Sequence, residues 1–305
     1  MSLVYFCRYS ASIARHWQDL LETALGETVL LGPPHGNLGA DDLAAVDVAI
    51  VANPAPGLLA QMPNLRFVQS LWAGVDGLLA DSSVPEHLPL ARLVDPNLAT
   101  AMAEAVATHV LGLHRQLPAY RAQQADVVWK PHHQPLAAEC PVGILGMGEM
   151  GKASAAMLRA LGFPVLGWSR SAGPAALDEV LARAHILVNL LPLTPETRHI
   201  LAAPLFARMR PGAGLINFGR GGHQVVADII AALDAGVLSH AVLDVFETEP
   251  LPADSPLWLH PKVTVTPHVA AETDSRTAAH CAAGNIRAFR AGRPVTGLVD
   301  RARGY

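Results

Sequence analysis

Short apolar runs alternate with helix-like stretches from residue 3 to about residue 100. Four runs have the length and composition of buried strands: LVYFC (3–7), VDVAIVA (46–52), LRFVQSLWAG (65–74) and LARLVD (90–95). Residues 11–25 have instead the apolar spacing of a helix. Strands that alternate with helices are typical of parallel βα units, so the pattern predicts a parallel-sheet α/β domain.

A second alternation of the same kind begins at residue 142. Its apolar runs are VGILG (142–146), PVLGW (164–168), HILVNLL (185–191), GLINF (214–218), HAVLDVF (240–246) and VTVTP (263–267). Helical stretches separate most of these runs. Six such strands are what a doubly wound sheet needs, so a second α/β domain is predicted here.

The segments outside these alternations indicate how the chain divides into domains. Residues 99–117 form an alanine-rich helical run that is long enough to cross between two lobes, whereas residues 120–141 are polar and proline-punctuated, as in a loop or arm. Residues 272–291 have a helical pattern and could fold back onto the first lobe. We therefore predict a discontinuous domain of residues 1–99 plus 272–305 and a second domain of residues 100–271.

Composition and charge exclude several classes of partner. Of the 305 residues 51% are hydrophobic and the net charge is −4, so the chain lacks a basic field for nucleic acid and a polybasic stripe for anionic lipid. Arg8 and Arg15 interrupt the first apolar run, which is too short for a signal sequence or a membrane span. Cys7, Cys140 and Cys281 lack zinc spacing and the density of a disulfide scaffold. We expect a cytoplasmic protein.

A glycine-rich turn follows the first strand of the second alternation. Gly146, Gly148 and Gly151 form a G-x-G-x-x-G motif between a strand and an alanine-rich helix, which favours a dinucleotide with its pyrophosphate at the helix N-terminus. A P-loop is one alternative, but residue 153 is alanine where Mg²⁺ needs a Ser or Thr hydroxyl. A methyltransferase would place an acid after the next strand, where this chain has none, and a plain tight βα connection is the structural alternative.

The stretch WSRS (168–171) stands where a dinucleotide-binding fold usually has an acid for the ribose hydroxyls. Arg170 offers a planar cationic fork to a 2′-phosphate, and Ser169 and Ser171 can donate hydroxyl hydrogen bonds. This chemistry predicts NADP(H) in preference to NAD(H). A solvated surface arginine without a ligand is the alternative.

Three polar residues follow strand-like runs at the strand ends where open α/β sheets bind ligands. Arg220 follows GLINF, Glu249 follows HAVLDVF and His268 follows VTVTP. They suit the reduction of a 2-oxo acid: arginine can hold the carboxylate and polarise the carbonyl, histidine can deliver a proton, and glutamate can keep the imidazole oriented and charged. Each residue alone also has a structural explanation. Arg220 could cap a sheet edge, Glu249 could simply precede a turn at proline, and His268 is only one of the fourteen histidines in the chain.

The remaining histidines are not predicted to form a metal site. His109 and His114 are five apart on a helix and face different ways. His132 and His133 lie in the proline-rich arm without an acidic or thiol partner nearby. No metal is therefore assigned.

These residues lie in segments that resemble the D-isomer-specific 2-hydroxyacid dehydrogenase family, and within it the glyoxylate/hydroxypyruvate reductase A type. The segments are LWAGVD (71–76), GILGMGEMG (143–151), WSR (168–170), LLPLTPET (190–197), NFGRG (217–221), LDVFETEPLP (243–252), TPHVAA (266–271) and VDRARGY (299–305). The resemblance implies two Rossmann-like or flavodoxin-like doubly wound parallel-sheet domains with the active site in the cleft between them. Residues 1–99 plus 272–305 would bind substrate, and residues 100–271 would bind the dinucleotide.

The resemblance also implies roles for individual residues. Arg220, Glu249 and His268 would form the catalytic triad. The implied cofactor contacts are Gly146, Gly148, Glu149, Met150, Gly151, Ser169, Arg170, Ser171, Leu190, Pro192, Phe218, Gly219 and Asp244, the last at the nicotinamide carboxamide. Substrate would be bound by Arg220, His268, the amides of Trp72, Ala73 and Gly74, and Trp129 from the arm of a neighbouring subunit, which implies a homodimer.

The function implied by the resemblance is NADPH-dependent reduction of glyoxylate to glycolate and of hydroxypyruvate to glycerate, with His268 as the proton donor. Two alternatives stay open: a dehydrogenase of the same family for phosphoglycerate or a bulkier 2-oxo acid, and a nucleotide-sensing protein like the corepressors of this fold. The chain departs from the family pattern at Glu149 and Met150, where Arg-Ile is common, and at Gly219, where alanine is common. Gly219 is expected to loosen the loop that holds Arg220.

Overall fold

The computed structural model describes residues 2–305, which fold into two compact units. One unit contains the residues up to Asn97 together with Thr273–Tyr305, and the other contains Leu98–Glu272. Each unit has a parallel β-sheet of its own. The prediction of two parallel-sheet α/β domains is confirmed.

Strands and helices alternate along most of the chain. The strands are β1 (Ser2–Cys7), β2 (Val29–Leu31), β3 (Val46–Ala52), β4 (Phe67–Ser70), β5 (Leu90–Ala91), β6 (Val142–Leu145), β7 (Val165–Trp168), β8 (Ile186–Asn189), β9 (Ala213–Asn217), β10 (Leu238–Leu243) and β11 (Val263–Val265). The α-helices are α1 (Ala11–Leu25), α2 (Ala40–Ala45), α3 (Asp76–Ala80), α4 (Pro96–His114), α5 (Leu117–Ala125), α6 (Glu149–Ala160), α7 (Gly173–Arg183), α8 (Ala203–Phe206), α9 (Val226–Asp234) and α10 (Ser275–Arg290). Short 3₁₀ turns span Leu59–Gln61, Ala137–Glu139, Arg170–Ala172, Gly221–His223 and Pro256–Trp258.

The first unit is built around a sheet with the strand order β2-β1-β3-β4-β5. Every residue of β3 is buried, as expected for a central parallel strand that is covered on both faces. Helices α1 and α10 contact each other. Phe289 of α10 also stacks on Phe67 of β4, with ring centroids 4.5 Å apart. The C-terminal helix therefore belongs to the core of the first unit.

The second unit contains a sheet with the strand order β11-β10-β9-β8-β6-β7. The direction of winding reverses between β6 and β8, and open α/β sheets bind ligands at such a switch point. Successive strand residues face opposite sides of a sheet. Ile144 and Leu145 on β6 accordingly belong to different core clusters, as do Val188 and Leu187 on β8. Both faces of the sheet are apolar, which explains the uninterrupted hydrophobic runs.

The structure differs from the sequence-based expectation in the region between the two alternations. Residues 120–125, predicted as loop or arm, are helical. Pro118 stands in the first turn of α5, where backbone amides have no partner within the helix, so a proline is accommodated there. All residues of α5 are at least partly exposed, so the sequence lacks the periodicity that marks a buried helix. The arm is thus residues 126–136, which are irregular. Helix α4 begins before residue 99, at Pro96.

Within residues 2–305, no helix is both long and apolar enough to cross a membrane. In that range no group of three or more histidines, cysteines or acids is placed to hold a metal ion. All three cysteines are free, and burial raises the pKa of Cys140 to about 11. Cys140 is therefore a neutral thiol at neutral pH.

Candidate active site

The glycine-rich turn joins β6 to α6 at the switch point of the second sheet. Gly146 has a φ of +101°, and a Cβ atom there would lie 2.6 Å from the carbonyl oxygen of Leu190. A Cβ on Gly151 would lie 2.0 Å from the carbonyl oxygen of Gly146. Both positions therefore require glycine. Gly148 instead has open space where a Cβ would stand, directly before the first residue of α6, and this leaves room for a phosphate at the helix N-terminus.

Glu149 and Met150 form the start of α6. The Glu149 carboxylate pairs with the ammonium of Lys152 at 3.1 Å, and both side chains are exposed. The acid that departs from the family pattern is therefore accompanied by a cation one helical turn away.

The residues after β7 form a tight turn. Trp168 is buried, and its indole nitrogen donates a hydrogen bond to the carbonyl of Gly173 at 2.9 Å. The hydroxyl oxygens of Ser169 and Ser171 lie 3.0 Å apart and are exposed. The turn therefore brings the two serines that flank Arg170 to the same side of the chain.

Arg170 is paired with an acid that the sequence-based reasoning did not assign. Its Nη1 donates to Oε2 of Glu196 at 2.8 Å, and the same oxygen accepts from Oγ1 of Thr194 at 2.7 Å. The hydrogen bond from Thr194 is the main cause that lowers the pKa of Glu196, and Arg170 adds to it. Glu196 lies in LLPLTPET, after β8. Glu196, in the loop after β8, thus lies beside Arg170, at the position after β7 where dinucleotide-binding folds usually have an acid.

Three fully buried polar side chains form a network at the carboxyl ends of β8 and β9. Nδ2 of Asn189 donates to Oδ1 of Asn217 at 2.8 Å and lies 2.8 Å from Nδ1 of His223. Oδ1 of Asn217 also accepts from the Gly219 amide at 3.1 Å, and its Nδ2 donates to the Arg220 carbonyl at 3.1 Å. A Cβ on Gly219 would lie 2.8 Å from Nδ2 of Asn189. This network holds the loop, and a Cβ at residue 219 would crowd it, while the expectation that Gly219 loosens the loop stays a prediction.

The segment that contains Arg220 packs against the segment that leads to Glu249. A Cβ on Gly221 would lie 1.9 Å from the carbonyl carbon of Phe246, so only glycine allows this approach. The Phe246 amide in turn donates to Oε1 of Glu249 at 2.9 Å. Arg220 and Glu249 therefore lie on two segments that are in direct contact, and Arg220 itself is half-buried.

Glu249 and His268 form a hydrogen-bonded pair. Oε2 of Glu249 lies 2.8 Å from Nδ1 of His268. A carboxylate can only accept, so Nδ1 carries a proton and Nε2 is left to exchange a proton with another molecule. The imidazole is 52% exposed, which keeps it accessible.

Asp244 fixes the loop that contains His268. Its carboxylate is buried and accepts hydrogen bonds from Oγ1 of Thr266 at 2.6 Å and from the amides of Val269 and Ala270 at 2.9 and 3.0 Å. The His268 amide also donates to the Asp244 carbonyl at 2.8 Å, and His268 has a φ of +56°. Non-glycine residues rarely adopt this left-handed conformation. The sequence-based reasoning assigned Asp244 only a cofactor contact and missed its part in holding the histidine loop.

Sequence comparison places this site in a known family. A model described as the NAD binding domain of D-isomer specific 2-hydroxyacid dehydrogenase matches residues 107–270. The chain belongs to this dehydrogenase family. The glyoxylate/hydroxypyruvate reductase A of Yersinia enterocolitica is 39% identical over 279 residues, and that of Serratia proteamaculans is 42% identical over 282 residues. Each alignment covers 87% of this chain and 89% of the relative.

Solved structures of the dehydrogenase family agree with this assignment. A D-isomer specific 2-hydroxyacid dehydrogenase from Xanthobacter autotrophicus Py2, in complex with NADPH and MES, has a TM-score of 0.93 at 40% identity and covers 100% of this chain and 99% of its own. The NADPH-dependent glyoxylate/hydroxypyruvate reductase of Sinorhizobium meliloti, in complex with NADP and sulfate, has a TM-score of 0.89 at 40% identity and covers 100% of both chains. The resemblance inferred from the sequence is confirmed.

His109 lies against a residue that is expected to line the cofactor of this dehydrogenase. Its ring meets the ring of Phe218 edge-on, with centroids 5.5 Å apart, and Phe218 is buried. Burial lowers the pKa of His109, and the nearby charge of Asp244 opposes that shift. The spacing of His109 in the sequence argues only against a metal ligand, and no local pattern indicates this contact.

In the first unit, the residues expected to bind the substrate carboxylate of the dehydrogenase follow β4. The Trp72 amide donates to Oγ of Ser70 at 3.0 Å. The Trp72 carbonyl accepts from the Leu93 amide at 2.9 Å. These bonds fix the backbone of Trp72 and occupy its amide. The binding of the substrate carboxylate by the amides of Trp72, Ala73 and Gly74 stays a prediction.

The arm, residues 126–136, presents apolar side chains on its surface. Trp129 is 100% exposed, Val127 is 92% exposed and Leu136 is 71% exposed. The arm is nevertheless attached to α5, because the His132 amide donates to the hydroxyl of Tyr120 at 3.0 Å. The insertion of Trp129 into a neighbouring subunit stays a prediction.

Proposed function

We propose that the protein is an NADPH-dependent reductase of small 2-oxo acids, which converts glyoxylate to glycolate and hydroxypyruvate to glycerate. The observation that carries the proposal is the hydrogen bond between Glu249 and His268, in a loop that Asp244 holds in place. Relatives named glyoxylate/hydroxypyruvate reductase A, 39% and 42% identical to this chain, support the substrate class. In this proposal the unit Leu98–Glu272 binds the dinucleotide and the other unit binds substrate.

The residues of the second unit fit NADP(H). Gly148 leaves open space at the N-terminus of α6, which suits a pyrophosphate. Arg170 offers charge, and Ser169 and Ser171 offer hydroxyls, to a 2′-phosphate. Two structures of relatives that contain NADPH or NADP support this choice of cofactor. When bound, NADPH supplies the hydride that reduces the carbonyl carbon.

His268 is the proposed general acid. Glu249 accepts a hydrogen bond from Nδ1 and orients the ring, so Nε2 delivers its proton to the carbonyl oxygen. The guanidinium of Arg220 binds the substrate carboxylate and polarises the carbonyl. A general acid of this kind contributes roughly 10²- to 10⁴-fold to the rate.

We further propose a cytoplasmic homodimer in which Trp129 contributes to the active site of the partner subunit. The exposure of Trp129, Val127 and Leu136 on the arm supports this proposal, because large apolar side chains grouped on a surface mark interaction sites.

Initial rates test the proposed function. The substrates are glyoxylate, hydroxypyruvate, pyruvate and phenylpyruvate, each with NADPH and with NADH. We expect the highest kcat/KM with NADPH and glyoxylate or hydroxypyruvate. His268→Gln should lower kcat roughly 10²- to 10⁴-fold, whereas His280→Gln, at an exposed position of α10, should not change it.

Other outcomes of these rate measurements would favour the alternatives. Faster turnover of phenylpyruvate would indicate a dehydrogenase for bulkier 2-oxo acids. NADPH binding without turnover of any 2-oxo acid would contradict the enzyme proposal and favour a nucleotide-sensing protein. Near-normal turnover by His268→Gln at neutral pH would contradict the role of His268 as the acid.

A further inference from the structure

His223 is a fully buried histidine directly after the Arg220 loop. It ends the 3₁₀ turn Gly221–His223, and its side chain is 0% exposed. The mechanism proposed above does not use it. Buried polar atoms are normally hydrogen-bonded, and both ring nitrogens of His223 have partners on segments that the function does use.

Nδ1 of His223 accepts two hydrogen bonds. Nδ2 of Asn189 lies 2.8 Å away, and the backbone amide of Arg220 lies 3.2 Å away. The amide group of Asn189 is oriented by its own oxygen, which accepts from the Leu191 amide at 3.3 Å. Because both neighbours of Nδ1 are N–H donors, Nδ1 carries no proton.

Nε2 of His223 contacts a different segment. It lies 3.3 Å from the carbonyl oxygen of Pro192, which can only accept, so the ring proton is on Nε2. Pro192 lies in LLPLTPET and is one of the residues expected to line the cofactor. Its carbonyl also accepts from Oγ1 of Thr197 at 2.7 Å, which fixes this end of the contact.

We propose that His223 is a positioning residue that uses Nδ1 to hold the backbone of Arg220 and Nε2 to hold the cofactor-lining segment at Pro192. The proposal rests on the proposed function, because that function assigns Arg220 to the substrate, and because Pro192 is among the residues expected to line NADPH. Loss of the Nδ1 contact removes one of the hydrogen bonds that hold the Arg220 backbone, whereas loss of the Nε2 contact removes one of those that hold the Pro192 carbonyl. The two effects are therefore separable by substitution.

Two amide substitutions of His223 separate the two contacts. His223→Asn keeps an oxygen near the position of Nδ1 and removes Nε2. We expect it to raise the KM for NADPH about tenfold, with kcat and the KM for glyoxylate near wild type, because one buried hydrogen bond contributes roughly this much. His223→Gln keeps an N–H near the position of Nε2 and removes Nδ1. It should lower kcat/KM for glyoxylate about tenfold and leave the KM for NADPH near wild type. His223→Leu should show both losses.

Binding measurements support the kinetic comparison. The Kd of NADPH follows from quenching of tryptophan fluorescence, and the Kd of oxalate, a non-reacting dicarboxylate, follows from titration of the NADP⁺ complex. We expect His223→Asn to weaken NADPH alone and His223→Gln to weaken oxalate alone. Identical losses in both variants, or wild-type binding and kinetics in His223→Leu, would overturn the proposal.

Nitrogen NMR of ¹⁵N-histidine-labelled wild-type protein reports the tautomer of His223 without any substitution, so it tests the proposal even where a variant fails to fold. We expect an unprotonated Nδ1 and a protonated Nε2 for His223, with NADP⁺ shifting the Nε2 resonance and oxalate shifting the Nδ1 resonance. The opposite tautomer would overturn the proposal. Wild-type protein that binds both ligands but reduces no 2-oxo acid would contradict the proposed function alone, since the binding and NMR results judge His223 separately.

Discussion

At the scale of single residues, the proposed preference for NADPH rests on Arg170 and its ion pair with Glu196. Their side chains are 30% and 64% exposed, and ion pairs this exposed contribute little to stability. A phosphate carries more charge than a carboxylate, so it can displace Glu196 from the guanidinium. Glu196 can in turn accept a hydrogen bond from a ribose 2′-hydroxyl, as acids do in NAD-binding folds. The pair is therefore suited to NADPH first and to NADH second.

Replacement of Arg170 by aspartate tests this assignment. Arg170→Asp should raise the KM for NADPH at least about tenfold more than the KM for NADH, because a like charge would face the 2′-phosphate. Initial rates with each cofactor at saturating glyoxylate measure the difference. Arg183→Asp on α7 is the control, since Arg183 also forms an ion pair with a glutamate, Glu179, at 2.6 Å. Equal losses for the two cofactors would show that Arg170 does not contact the phosphate.

The sequence predicts some of these residues and not others. Arg220, Glu249 and His268 follow apolar runs by one to three residues, so the pattern alone assigns them to the carboxyl edge of a sheet, and their catalytic roles stay predictions. Glu196 and His223 are different, because each also has partners 26 to 34 residues away on other segments, Arg170 for Glu196 and Asn189 and Pro192 for His223. No local pattern specifies such contacts, which depend on how neighbouring strands end.

At the scale of elements, apolar runs locate the buried strands well and the exposed elements poorly. The runs mark β3 and each strand of the second sheet. Strand β2 has only three residues, and the polar helix α5 has no apolar stripe, so neither has a clear signal in the sequence. The strand orders of the two sheets also cannot be predicted from the pattern of apolar runs, because they depend on pairing between strands that are distant in sequence.

A buried histidine in β10 makes stability depend on pH. His240 is 7% exposed, and its Nε2 lies 2.9 Å from Oγ1 of Thr264. Burial lowers the pKa of His240 to about 4, with smaller contributions from His260 and His109. The unfolded chain has a histidine pKa of about 6.5, so it binds a proton that the folded chain does not bind as the pH falls below that value. Stability is therefore lost on acidification, by ~2 kcal/mol at pH 5.

Urea unfolding at pH 7 and pH 5 measures this loss. We expect wild-type protein to lose about 2 kcal/mol more than His240→Gln between the two pH values, since glutamine does not titrate. His280→Gln, at an exposed position, should keep the wild-type dependence. The same loss in His240→Gln as in wild type would assign the acid sensitivity to other groups.

At the scale of the whole molecule, each unit has its own sheet and core, whereas the arm exposes its apolar side chains. We expect light scattering to give twice the chain mass of 32.2 kDa. Trp129→Ser combined with Val127→Ser should weaken the dimer roughly 30-fold or more, as for central aromatic residues of interfaces. Trp258→Ser, at a residue that is 49% exposed outside the arm, is the control. A monomeric wild type would contradict the homodimer.

The approach of Gly221 to the backbone of Phe246 limits how this enzyme can be redesigned. A methyl group at residue 221 would lie 1.9 Å from a carbonyl carbon, so the two backbones pass too closely for any side chain at residue 221. Residues 219–223 and 245–249 should therefore be exchanged together when either loop is engineered. A library that grafts one of these loops from a relative should graft the other loop as well. An unmatched pair of loops would move Arg220 away from Glu249, which orients His268.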